Sequence, residues 1–143
     1  MRALLDINVW IALLDDAHAF APRANAWFER ERPALATCPL IENGVVRIMA
    51  SPGYSAKYRQ PIGTISALLR QACAANDHAF WPDDVSLLDA DRFDVDRLHG
   101  SRQITDAYLL ALAVSKGGRF VTFEEAIPVS AVRGATRRHL LVL

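Results

Sequence analysis

Ala3-Leu4-Leu5-Asp6-Ile7-Asn8-Val9-Trp10-Ile11-Ala12-Leu13-Leu14 opens with an apolar run, is broken by one acid, and then turns apolar at helical spacing. Residues 3–7 read as a buried strand and residues 8–15 as a helix that follows at once. Asp6 then stands at the C-terminal end of a first strand, the edge outside which open parallel sheets hold their ligands.

The same alternation continues along the chain. Residues 18–32, with Phe20, Ala26, Trp27 and Phe28, read as an amphipathic helix. Residues 34–38 read as a second strand, after which Pro39 opens a helix over 40–50 from the first-turn position where proline is tolerated. Residues 51–60 read as a loop and 62–75 as a helix. His78–Trp81 reads as a short strand closed by Pro82, and the acidic stretch 83–98 as a segment with one short helix. Residues 103–116 form a helix stopped at Gly117-Gly118, and 119–123 and 139–143 are the last strands. Strands alternating with helices predict an α/β fold, a parallel sheet covered on both faces. At 143 residues the chain suits one domain spanning 1–143.

Composition narrows the class. Hydrophobic residues make up 52%, which excludes a disordered chain. No run of about 18 apolar residues exists to span a membrane, and the N-terminus reads as a strand rather than a signal peptide, so a cytoplasmic protein is expected. Cys38 and Cys73 are isolated and read as reduced core thiols. The scattered histidines His18, His78, His99 and His139 form no zinc spacing. Net charge is zero, which argues against a broad basic face that coats nucleic acid. Arg133, Arg137 and Arg138 make one small basic cluster, read first as a solvated surface and second as a phosphate contact.

Three acids stand out by their spacing. Asp6 is followed at +3, +4, +7 and +8 by Val9, Trp10, Leu13 and Leu14; Glu42 by Val45, Val46, Met49 and Ala50; Asp106 by Leu109, Leu110, Ala113 and Val114. That pattern puts each acid on the inward stripe of a helix, where an unpaired charge is costly. Each alone could be a helix cap or a partner of the helix dipole. Three together suit a hard divalent cation, which prefers carboxylate oxygens.

These segments resemble the PIN-domain family. Leu4-Leu5-Asp6-Ile7-Asn8-Val9 is similar to the family's opening strand with its first catalytic Asp. Leu40-Ile41-Glu42-Asn43-Gly44-Val45 resembles the segment with its Glu, and Thr105-Asp106-Ala107-Tyr108-Leu109 the helix start with its third acid. Val121-Thr122-Phe123 resembles the strand that usually ends in Asp; here Glu124 follows, with Glu125 beside it. Ala26-Trp27-Phe28, Phe80-Trp81-Pro82-Asp83-Asp84 and Ile127-Pro128 resemble the VapC-like toxins within the family. The resemblance implies a three-layer α/β/α sandwich with a mostly parallel sheet. It implies Mg²⁺- or Mn²⁺-dependent hydrolysis of RNA with Asp6, Glu42, Asp106 and Glu124 as catalytic and metal-binding residues. It further implies a homodimer and a VapB-like antitoxin partner.

Two other readings compete. A decayed, non-catalytic PIN-like binding module would account for Glu in place of Asp at position 124. A haloacid-dehalogenase-type phosphatase would use Asp6 as nucleophile, with Lys116 and Glu124-Glu125 as its late residues, but Asn8 stands where that family has a second Asp.

Overall fold

The computed structural model describes residues 1–55 and 59–143. Five strands form one sheet in the order β3-β2-β1-β4-β5, where β1 is Ala3–Leu5, β2 Leu35–Thr37, β3 His78–Phe80, β4 Arg119–Thr122 and β5 Leu140–Val142. Every pairing is parallel. The helices are α1 (Ile7–Leu14), α2 (Ala21–Glu31), α3 (Pro39–Met49), α4 (Ile62–Ala74) and α5 (Gln103–Ser115).

The order explains how two faces are covered. The chain steps from β1 to β2 to β3 in one direction, then crosses back to β4 and β5. Parallel crossovers are right-handed, so the first two put α1–α4 on one face and the return puts α5 on the other. The packing agrees: α1 lies against α2 and α3, α3 against α4, and α5 against β1 and β4. Strands covered on both faces must be apolar throughout, and every residue of β1 and β2 is buried. Trp10, Phe120, Leu4, Leu5 and Ile41 are among the largest fully buried side chains.

Some boundaries move. The first strand ends at Leu5 and α1 begins at Ile7, because Asp6 is the N-cap and its carboxylate accepts from the Ile7 amide. The stretch 83–98 holds only a 3-10 turn, Val95–Arg97. Phe93 in that stretch makes an isolated antiparallel bridge with Val132, outside the parallel sheet. Of the loop read over 51–60, residues 56–58 lie outside the described residues. Cys38 is buried, Cys73 half-buried, and both are free. Among the described residues no helix is long and apolar enough to cross a membrane.

Candidate active site

The site is built on strand ends. Asp6 follows β1, Thr37 closes β2 and Thr122 closes β4, three adjacent strands whose C-terminal ends share one sheet edge. Both threonines are fully buried. A buried hydroxyl needs a partner, and each of these two finds a carboxylate.

Thr122 Oγ1 donates to Asp6 Oδ2 at 2.9 Å, and the Glu124 amide donates to Thr122 Oγ1 at 3.1 Å. Asp6 Oδ1 accepts from the Ile7 amide at 2.7 Å. One hydroxyl therefore fixes the first acid to the loop that carries the fourth. That loop is tied down twice more: Glu124 Oε1 accepts from the Ala126 amide at 2.9 Å, and Gln103 Nε2, in the first turn of α5, donates to the Ala126 carbonyl at 3.1 Å.

Asp106, one turn further along α5, completes this group. Burial first, then the charges of Asp6 and Glu124, push its pKa up to about 6. Burial also raises Asp6, opposed by its bonds to Thr122 and Ile7 and reinforced by the charge of Glu124. Asp6, Asp106 and Glu124 thus feel one another electrostatically. Glu125 enters neither influence and is exposed. Among the described residues, no hydrogen-bond donor meets the Asp106 carboxylate and no cationic side chain pairs with any of the three.

Glu42 shares the sheet edge but turns elsewhere. Its Oε1 accepts from Thr37 Oγ1 at 2.6 Å, and Thr37 Oγ1 lies 2.8 Å from His78 Nε2. Since the Thr37 proton goes to the carboxylate, His78 Nε2 acts as donor to the hydroxyl. The Glu42 charge acts on Cys73 and His78. His78 is lowered chiefly by burial, with Glu42 opposing and Arg2 assisting. Glu42, Asn43 and His78 line a groove of about 1190 Å³ between α3 and α4, with Arg47 and Arg70 on its walls.

The structure thus ties Asp6 to the Glu124 loop through Thr122, leaves Asp106 within reach of both charges, and holds Glu42 along the same edge by another hydroxyl. It does not bring Arg137 and Arg138 there. They lie in a 3-10 turn immediately before β5, at the opposite, N-terminal edge of the sheet. Thr37, Thr122 and His78 were not singled out as site residues. Their one signal is a hydroxyl at the last position of two otherwise apolar strands, Leu35-Ala36-Thr37 and Phe120-Val121-Thr122.

An all-carboxylate donor set is what Mg²⁺ or Mn²⁺ prefers. A half-buried acid without a donor, crowded by two like charges, is satisfied by a cation rather than by any side chain present. Among the described residues no three His, Cys, Asp or Glu side chains form a ready-made ligand cage. An ion that keeps most of its waters and takes one or two carboxylates needs no such cage, and the carboxylate chemistry of Asp6 and Asp106 fits it.

The profile of the PIN domain matches residues 3–131. Over the full length of both chains, this sequence is 47% identical to Ribonuclease VapC44 of Mycobacterium tuberculosis. It is 39% identical to Ribonuclease VapC39 of the same organism, covering 94% of this chain and 96% of that one. The fold is similar to the crystal structure of Mycobacterium tuberculosis VapC20, described as a toxin that cleaves the sarcin–ricin loop. There the TM-score is 0.60 at 14% identity, covering 94% of this chain and 96% of that one.

Proposed function

This chain belongs to the PIN-domain family, among the VapC ribonucleases, and from that premise we propose that it is a divalent-metal-dependent endoribonuclease, the toxin half of a toxin–antitoxin pair. The observation that carries the metal dependence is the crowding of Asp6, Asp106 and Glu124 with no cationic partner among the described residues.

Asp6 and Asp106 are the residues that would hold the cation, with Glu124 adjacent and Glu42 along the edge. When bound, Mg²⁺ or Mn²⁺ supplies charge neutralisation at the scissile phosphate. The chain's own part is to keep the carboxylates in place. Thr122 does so for Asp6 by donating to Oδ2. Thr37 does so for Glu42 by donating to Oε1. Asp106 keeps a proton up to about pH 6 when no cation is near. Glu124 joins the electrostatic group, which argues against a decayed site. Asn8 is exposed in the first turn of α1, so the acid–base Asp that a dehalogenase-type phosphatase needs is missing.

A homodimer and a VapB-like antitoxin belong to this reading. The groove that reaches Glu42 has apolar residues between Arg47 and Arg70, which suits an acidic segment of such a partner. The test is expression without the partner. Growth arrest that Asp6→Asn relieves is expected; equal toxicity of parent and variant would reject the metal mechanism.

A further inference from the structure

Beside the acidic centre lies a set of rings the reaction does not use. Phe123 sits between Thr122 and Glu124. Phe20 tilts against it with centroids 4.8 Å apart, and the His18 ring stacks on it at 6.4 Å and 20°. Phe20 is 44% exposed although it precedes α2 as its N-cap residue. The guanidinium of Arg23 lies 5.8 Å from the Phe20 centroid, is exposed, and has no ion-pair partner among the described residues. His18 is fixed from behind, its Nδ1 accepting from the Phe20 amide at 3.0 Å. A partly exposed cluster of rings, Phe20 tilted at 40° to Phe123 and 49° to His18 and carrying the Arg23 guanidinium on the Phe20 ring, adjoins the candidate metal ligands.

We infer that Phe20, Phe123, His18 and Arg23 form a stacking platform for an unpaired base of single-stranded RNA next to the scissile phosphate. The inference rests on the ribonuclease reading above. A nuclease must hold a polyanion beside its own carboxylates, and this chain has no net positive charge to do it with. Stacking supplies sequence-tolerant affinity without a basic face, and one cation over the ring serves the neighbouring phosphate. Unpaired bases can be splayed onto aromatic rings; bases inside an A-form duplex cannot. The rings also set a position, since a base stacked on Phe20 and Phe123 fixes how far its phosphate lies from Glu124 and Asp6.

The probe is a single-stranded ten-nucleotide RNA with 2-aminopurine at one position, whose fluorescence is quenched when the base stacks on a ring. It is titrated onto the full chain carrying Asp6→Asn, alone and with Phe20→Ala, Phe20→Leu, Phe20→Trp, Arg23→Ala or Arg137→Ala. Binding with quenching is expected for the background, Phe20→Trp and Arg137→Ala. Phe20→Ala and Phe20→Leu are expected to bind roughly 5- to 100-fold more weakly and to lose the quenching. Arg23→Ala is expected to weaken binding and flatten its salt dependence. Because Phe20 packs on Phe123, Phe20→Ala is expected to melt a few degrees lower, whereas Phe20→Leu, Phe20→Trp and Arg137→Ala are expected to melt close to the background, so a binding loss in Phe20→Leu is not a loss of fold. Phe20→Leu binding and quenching like the background would overturn the platform, as would equal affinity for the same sequence in a duplex. Cleavage by the parent separates the two levels: a parent that cleaves RNA while Phe20→Ala binds normally removes the platform alone. A parent that neither binds nor cleaves removes the ribonuclease reading with it.

Discussion

The hydroxyl of Thr122 joins the end of β4 to Asp6 at the end of β1, donating to Oδ2 at 2.9 Å while taking the Glu124 amide at 3.1 Å. One side chain with one proton sets the spacing of two acids that are 118 positions apart in a chain of 143. Thr122→Val keeps the shape and removes both bonds. RNA cleavage is expected to fall about 10- to 100-fold, the usual cost of losing a group that orients a metal ligand. Thr122→Ser is expected to recover most of it. A Val variant as active as the parent would show that the hydroxyl does not orient the site.

Asp106 gives a pH dependence with a definite sign. Its folded pKa, about 6, lies above its ordinary value of 3.8, so the folded state binds the proton more tightly. Its contribution to stability is therefore largest below about pH 4, falls as pH rises, and is fully lost above about pH 6. Asp6 shifts in the same direction. Metal-free protein is expected to lose about 1 kcal/mol from Asp106 across this window after solvent screening, roughly 2–4 °C in melting temperature. Saturating Mn²⁺ is expected to reverse the loss at pH 7 and to have little effect at pH 4.5. Asp106→Asn should shrink both effects in a melting series across pH, leaving the part that Asp6 contributes.

Glu124 is one carbon longer than the Asp usual at its position, and its Oε1 is engaged by the Ala126 amide. Glu124→Ala is expected to raise the Mn²⁺ concentration for half-maximal cleavage without changing the melting temperature. Glu124→Asp is expected to match or exceed the parent. If the Ala variant follows the parent at every metal concentration, the fourth acid is not part of the site and Glu125 is the next to replace.

The Thr37 hydroxyl is buried, donating to Glu42 and accepting from His78. Thr37→Val leaves a carboxylate and an imidazole without their shared partner, at a cost of about 1–2 kcal/mol. Thr37→Ser is expected to melt with the parent. If Val and Ser variants melt alike, the Glu42–Thr37–His78 chain contributes nothing to holding Glu42.

Much of this was legible in the sequence because helical periodicity and strand runs are local. The apolar residues at +3, +4, +7 and +8 after Asp6, Glu42 and Asp106 do put those acids at the starts of packed helices. The spacing could not say how far inward each carboxylate points: all three are half-buried, and Asp6 is a helix cap as well. It could not separate Glu42, which faces Thr37 and His78, from the trio, because that choice depends on β2 and β3 lying side by side. Thr37 and Thr122 were hidden because a β-branched residue in a strand reads as ordinary propensity. Spacing could not say which edge of the sheet Arg137 and Arg138 occupy, and so could not decide between a solvated surface and a phosphate contact. Parallel pairing of β5 with β4 puts them at the far edge.

Purified full-length protein, incubated with a single-stranded RNA of mixed sequence, tests the central claim most directly. Cleavage is measured after chelation and again on returning Mg²⁺ or Mn²⁺, for the parent, Asp6→Asn and Asp106→Asn. The account predicts internal cleavage by the parent only when metal is present, and at least a hundredfold less by either variant, both still folded. Cleavage that survives chelation, or that either variant retains at the parent's rate, would contradict it.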